Sequence, residues 1–472
     1  QGVTAAIEKH YAKYLIDPGV TKAQDGRSTA ESVYQALLQS PLEEYLQQVV
    51  SLINRNRDAL KRDPDALDTI TRDPNLVRLV QQIICRAVES GASDIHIEPS
   101  GDELRVRVRV DGAMRTMVSL PMIAITPMAA RLKAMAELPI RPATTPLDAR
   151  IGYDLVWGRG IDLRFSLVPS IAGEKIVLRV LDRTRSRQTL PDLGMDDVTR
   201  NVIETVSDLP NGLLLVTGPT GSGKSSTLYA LLDRLNTEDT CLLTAEDPVE
   251  SRIPGVTQLQ CDEKTGVTFA SALKSFLRQD PDVLMVGEIR DAETADISLK
   301  AALTGHLVLS TLHTNDAAGA VLRLLNMNLE PFLVASSLRL VVAQRLLRRL
   351  CTKCKRQVTD LKDVRATLTA SLSPTLQKCF GSPTVYEPVG CASCGGTGFK
   401  GRSGIFEALR VSEPIEELII ARRSAADIRR CARSEGMRTL REAGLLKVAT
   451  GETAMTEVLE HTVEDTALSE TS

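Results

Sequence analysis

Aromatic residues are scarce in this sequence, 3% of 472 positions with a single tryptophan, and the charges nearly cancel at a formal net of -3. The first shortage removes the stacking platforms that hold single-stranded nucleic acids, and the second removes the basic surplus that favours binding to a phosphate backbone. Nucleic acid is therefore not an expected partner. Long apolar runs are missing as well: the stretch VSLPMIAITPMAA at 118–130 is too short to span a bilayer and carries two prolines. The opening residues, QGVTAAIEKHY, show no charged segment followed by an apolar one, so no secretory leader is read there and a cytosolic location is expected.

What is present is ordinary globular composition, 43% hydrophobic and 25% charged, in a chain too long for one core, so two to four domains are expected. Leu76, Leu79, Val80, Ile83, Ile84, Ala87 and Val88 recur at helical spacing and stop before Gly91. LRVRVRV at 104–110 alternates strictly, with Leu104, Val106, Val108 and Val110 on one face and Arg105, Arg107 and Arg109 on the other; Asp111-Gly112 then signals a hairpin. IDLRFSL at 161–167 alternates again and is expected to expose Asp162, Arg164 and Ser166. A helix followed by antiparallel strands predicts a small α+β domain. Beyond a charged, proline-bearing segment the texture changes to apolar runs (LLLVTG, CLLTAEDP, VLMVGEIRD, HLVLSTLHT) separated by helical patterns, which predicts an α/β domain with a mostly parallel sheet covered on both faces.

The first of those runs opens LLLVTGPTGSGKSS, residues 213–226, whose Gly218, Gly223, Lys224 and Ser225 satisfy the phosphate-loop pattern between a strand and a helix. The loop of Gly218, Pro219, Thr220, Gly221, Ser222, Gly223, Lys224, Ser225 and Ser226 can close around a polyphosphate, with backbone N–H groups from every residue but Pro219. Lys224 neutralises β/γ charge, and the Ser225 hydroxyl suits Mg2+. Hydrolysis also needs a carboxylate to organise magnesium and water: Glu288 ends the apolar strand of VLMVGEIRD, and TAEDPVE at 244–250 supplies a second acidic cluster. His306 and His313 bracket the strand in TGHLVLSTLHTND, where sensing the γ-phosphate and a structural role are both open. No guanine-reading NKxD segment is present, so ATP is the expected nucleotide.

GPTGSGKSSTLYALL, LTAEDPVE, FLRQDPDVLMVGEIRDAETA and TGHLVLSTLHTNDA resemble the Walker A, Asp-box, Walker B and His-box segments of the secretion and pilus-assembly ATPases, the group of general secretion pathway protein E and its type IV pilus assembly relatives. ASDIHIEP, RVRVRVDGAMR, DLRFSLVPSIAGEKIVLRVL and GCASCGGTGFKGRSGIFE extend the resemblance over about residues 75 to 460. It implies a small N-terminal α/β domain joined flexibly to a RecA-like ATPase domain, a homo-hexamer, and partners in the inner-membrane platform and cytoplasmic components of a secretion or pilus machine, with peripheral association at the inner membrane. It also implies Glu250 as catalytic base, Glu288 as the Walker B acid, His306 and His313 as His-box residues, and Arg109, Arg164 and Arg179 as candidates to stabilise charge on a nucleotide at an interface; for each arginine a solvated strand face is the plain alternative. AAIEKHY resembles only the last piece of the family's N-terminal module, so a docking module is expected outside this sequence.

Of nine cysteines, Cys85, Cys241, Cys261, Cys379 and Cys431 are scattered and read as small buried hydrophobes. Cys351, Cys354, Cys391 and Cys394 form C-x2-C-x36-C-x2-C, which suits a closed structural Zn2+ site, with a redox dithiol and free thiols as alternatives. Pilus-retraction members of the family generally lack this segment, so it favours an assembly ATPase. The expected divisions are a linker or adaptor remnant at 1–70, the α+β domain at 71–182, a linker at 183–194, the RecA-like core at 195–345, the tetracysteine segment at 346–403 and a helical C-terminal region at 404–472.

Overall fold

A computed structural model describes residues 41–58, 64–152, 161–182, 188–359 and 384–463. The chain divides into two compact units, one ending at Arg185 and the other starting at Ser186. The N-terminal piece AAIEKHY and Cys379 lie outside the described residues.

In the first unit, helices α1 (Leu42–Arg55), α2 (Pro64–Thr71) and α3 (Pro74–Glu89) precede strands β1 (Ala92–Ser100), β2 (Glu103–Val110) and β3 (Ala113–Pro121). Helix α4 (Ile125–Met135) and strands β4 (Leu147–Gly152), β5 (Ile161–Ser170) and β6 (Gly173–Asp182) follow. Asp73 caps α3 by accepting the Asn75 N–H, Pro74 takes the first helical position, and the apolar stripe read from the sequence is buried except for the half-buried Val88 at its end. The sheet runs β3-β2-β1-β6-β5-β4, with every neighbouring pair antiparallel. Asp111 and Gly112, both at positive φ, turn β2 into β3 as their sequence predicts.

Alternation then sorts the side chains. Leu104, Val106, Phe165, Leu167, Ile176 and Leu178 share one core with the helices, while the arginines stay on the other face. Asp162 departs from expectation: it is buried at 2% exposure and takes an ion pair from Arg150. The proposed start at residue 71 is also corrected, because Leu42, Val49 and Ile53 of α1 pack in this same core.

The second unit holds α5 (Asp197–Ser207), β7 (Gly212–Thr217), α6 (Lys224–Leu235), β8 (Leu242–Glu246), β9 (Thr257–Gln260), α7 (Phe269–Phe276), β10 (Val283–Val286), α8 (Ala292–Leu303), β11 (Leu307–Leu312), α9 (Ala317–Asn326), α10 (Pro331–Ser337) and β12 (Leu338–Leu350). After them come the short strands β13 (Arg356–Gln357) and β14 (Tyr386–Glu387), then β15 (Phe399–Arg410) and helices α11 (Glu413–Ile420), α12 (Ala425–Ser434), α13 (Leu440–Ala449) and α14 (Met455–His461). The seven-stranded sheet runs β15-β12-β7-β11-β10-β8-β9 and is parallel except for the β12–β15 pair. Every residue of β7, β8, β10 and β11 is buried, as the unbroken apolar runs require. Leu213 and Leu215 face one core, and Leu214 and Val216 face the other.

Three expected boundaries move. Leu190 and Leu193, assigned to a linker, are buried in the core beneath β7. The divisions at 345 and 403 fall inside β12 and β15, two paired strands of the main sheet, so the tetracysteine segment is an insertion between them rather than a piece following the core. No helix among the described residues is long and apolar enough to cross a membrane.

Candidate functional site

Parallel strands deliver their following loops to one edge of the sheet, and the expected chemistry collects there in the second unit. β7 ends at Thr217 and the loop 218–223 turns into α6. Gly218 and Gly223 hold positive φ, and a Cβ at Gly218 would come within 2.5 Å of the Gln344 carbonyl oxygen, so no larger residue fits this turn. Lys224 Nζ bridges back across the loop, donating to the carbonyls of Gly218 at 2.8 Å and Pro219 at 3.1 Å. Burial lowers its pKa, opposed by the Glu288 carboxylate and assisted by Arg345. Ser222 is buried and its hydroxyl has no partner among the described residues, leaving a donor within the phosphate loop.

Two acids and one histidine meet this loop. Ser225 Oγ donates to Glu250 Oε1 at 3.4 Å. Glu288, just after β10, lies 3.4 Å from His313 Nε2 and is also bound by Arg290. The segments after β8, β10 and β11 bring Glu250 to Ser225, Glu288 into the electrostatic field of Lys224, and His313 to Glu288. Glu246, the first acid of TAEDPVE, is different: it is buried and bonded to Tyr229, Thr244 and Gln258, so it belongs to the framework.

His306 is not brought to the site. It precedes β11, whose Leu307 pairs with Gly212, whereas the P-loop leaves β7 at Thr217; five residues of strand, roughly 17 Å, lie between. Its Nδ1 donates to the Ala301 carbonyl at 3.0 Å, a structural role. A phosphate-contacting role within this unit is therefore withdrawn for His306.

The loop after β11 is pinned at consecutive residues. His313 meets Glu288, and the Thr314 N–H donates to Thr217 Oγ1 at 2.9 Å. The Asn315 carbonyl accepts from Arg345 at 2.7 Å, Asp316 pairs with Arg429 of α12 at 2.5 Å, and the Ala317 N–H donates to Glu407 of β15 at 2.9 Å. Glu407 also accepts from Leu440 N at 3.3 Å, so one buried carboxyl receives the N-terminal amides of both α9 and α13. Burial pushes this carboxyl up to about 7 against the pull of those amides. Arg345 and Gln344 went unnoticed in the sequence; only the pairing of β12 beside β7 brings them to the P-loop.

The three expected arginines lie in the first unit, on the face of its sheet opposite the core it shares with the described helices. Register places Arg109, Asp94, Arg179, Arg164 and Arg150 side by side on five adjacent strands. Asp94 engages Arg179 at 3.1 Å and Arg109 at 3.8 Å, and Arg164 is exposed. Arg150 was missed because it sits outside any alternating run, and Arg107, two residues from Arg109, is instead held by Glu98 at 2.5 Å.

The four cysteines come together from the two ends of the insertion. Cys351 and Cys391, Cys354 and Cys394, and Cys391 and Cys394 have sulfur separations of 3.9, 3.9 and 3.8 Å. Those lengths are far beyond a disulfide and agree with the roughly 3.8 Å edge of a tetrahedron whose sulfurs lie about 2.3 Å from one zinc ion. Burial opposes it, but the N–H groups of Cys391 and Gly398, each 3.2 Å from Cys394 Sγ, lower that thiol to about 6. The donor set fits Zn2+. Lys355 turns away from the thiols, donating to the Gly451 carbonyl and covering the Tyr386 ring.

A parallel sheet with a P-loop between β7 and α6, and carboxylates on the neighbouring strand ends, defines a P-loop nucleoside triphosphatase. The family model described as Type II/IV secretion system protein matches residues 70–460, and the chain belongs to that family. It is 44% identical over 423 residues to the type IV pilus assembly ATPase PilB of Myxococcus xanthus, covering 89% of this chain and 74% of the relative. It is 43% identical over 407 residues to the type II secretion system protein HxcR of Pseudomonas aeruginosa, covering 86% of this chain and 81% of the relative. Among solved structures, the pilus retraction motor PilT with bound ADP superposes with a TM-score of 0.55 at 25% identity, covering 81% of this chain and 97% of that one. The ATPase DotB of Legionella pneumophila shares the fold, with a TM-score of 0.58 at 21% identity over 80% of this chain and 93% of DotB.

Proposed function

We propose that this chain is a cytosolic, magnesium-dependent ATPase that works as a homo-hexamer, peripherally bound at the inner membrane. In this role it couples ATP hydrolysis to assembly of a pilus or pseudopilus by docking on platform and cytoplasmic components of a secretion or pilus machine. The observation that carries it is the contact between Ser225 and Glu250 at the P-loop, in a chain with 43–44% identity to ATPases of pilus assembly and proteins of type II secretion. The phosphate-loop amides and Lys224 hold the triphosphate, and Ser225 and Glu288 supply the oxygen donors a magnesium ion needs. Magnesium, when bound, neutralises charge on the β- and γ-phosphates. Glu250 accepts the proton of the attacking water, His313 orients Glu288, and Arg109, Arg164 and Arg179 are the candidates to stabilise charge on the nucleotide of an assembled hexamer. Cys351, Cys354, Cys391 and Cys394 hold a structural zinc ion apart from this chemistry.

Type II secretion and type IV pilus assembly are both consistent with the relatives, and the four cysteines favour either over a retraction motor. ATP turnover by the Glu250→Gln and Glu288→Ala variants tests the assignment. Each is expected to fall at least about 100-fold with nucleotide binding retained in Glu250→Gln, and parental turnover in either would sink it.

A further inference from the structure

The turn that carries Glu250 is suspended from a partly buried polar network whose hub lies on another element. Tyr229 is on α6, the helix that opens with Lys224 and Ser225. Its hydroxyl donates to Glu246 Oε2 and accepts the N–H of Glu250 at 3.2 Å and of Ser251 at 3.3 Å, which uses its one proton and both lone pairs. The other oxygen of Glu246 takes Thr244 Oγ1 at 2.7 Å and Gln258 Nε2 at 3.0 Å. Gln258 closes the circuit: its Nε2 also donates to the Ser251 carbonyl at 2.9 Å, and its Oε1 accepts the Ile253 N–H at 2.7 Å. The backbone at residues 250, 251 and 253 therefore hangs from side chains of α6 and β9, themselves tied by Glu246 of β8.

A network of this kind could serve packing alone. Here one of its bonds lands on the amide of Glu250 itself, and the hub rides on the helix that presents Ser225, the hydroxyl 3.4 Å from the Glu250 carboxylate. We propose that Tyr229 is a positioning residue for hydrolysis: its hydroxyl fixes the Glu250 carboxylate relative to the first turn of α6, so that the base faces the nucleotide site in one orientation. This rests on the assignment of Glu250 as the base.

The test compares steady-state ATP hydrolysis and fluorescent-nucleotide binding for the parent chain, Tyr229→Phe, Glu250→Gln and the double variant. Tyr229→Phe keeps the ring and removes only the hydroxyl, so kcat is expected to fall about tenfold while KM and nucleotide affinity stay within about twofold. Because Tyr229 acts through Glu250, the double variant is expected to be no slower than Glu250→Gln alone. Gln258→Leu, which cuts the same suspension from the β9 side, is expected to repeat the kcat-only loss. Unchanged kcat in Tyr229→Phe, losses that multiply in the double variant, or a matching rise in KM would overturn the proposal. Parental kcat in Glu250→Gln would instead overturn the base assignment beneath it.

Discussion

The two sheets of this chain carry function in opposite ways. Among the described residues, the antiparallel sheet of the first unit has helices on one face only, and its candidate residues stand in a row across the strands of the other, from Arg109 to Arg150. The central strands of the second unit, β7, β8, β10 and β11, are buried on both faces, so nothing along them can meet a ligand; Lys224, Glu250, Glu288 and His313 all lie beyond strand ends. An open strand face builds an extended charged strip, whereas a closed sheet concentrates its chemistry at one edge. The β12–β15 pair is where the second sheet adopts the antiparallel arrangement of the first, and the tetracysteine insertion closes that pair.

That last point gives the prediction with the largest effect. With Cys391→Ser and Cys394→Ser together, one zinc ion per chain is expected to be lost, and the Leu350 end of β12 and its partner β15 lose hydrogen-exchange protection while β7, β10 and β11 keep theirs. A parent chain that binds no zinc, or a variant with unchanged protection, breaks this account. An intermediate effect is expected on the open face of the first sheet. Arg164→Ala should slow ATP turnover about tenfold or more without shifting the thermal midpoint, since an exposed strand arginine contributes little to folding; turnover equal to the parent's would mark it as a solvated side chain.

The smallest effect on turnover belongs to Glu407, deep in the second sheet. Its carboxyl is raised to about 7 in the folded chain, so the folded state binds more protons than the unfolded one above the usual carboxylate range. Its contribution to stability is fully present at acid pH and is lost as pH rises toward 7, by on the order of 1–2 kcal/mol between pH 5 and 7. Thermal midpoints of the parent should therefore decline over that range more steeply than those of Glu407→Gln, and parallel curves would refute the shift.

What the sequence disclosed follows from the same contrast. The P-loop and the acid of VGEIRD are legible because a tight anion turn and a strand end make local demands on residue type. Alternation likewise exposes Arg109 and Arg164, but it cannot tell that Arg107 is spent on Glu98 or that Asp162 is buried against Arg150, since those partners come from neighbouring strands. Tyr229, Gln344 and Arg345 escape a sequence reading for that reason, each taking its role from an element distant in the chain. His306 misled through symmetry: two histidines flank one strand, yet a strand delivers its two ends to opposite edges of the sheet.

The loop from His313 to Ala317 has no slack. Each of its five residues is fastened to a different part of the second unit, from Glu288 at one end to Arg429 and Glu407 at the other. The segment therefore links the Glu288 end of the site to α12 and β15 by an unbroken run of polar contacts, one at each residue.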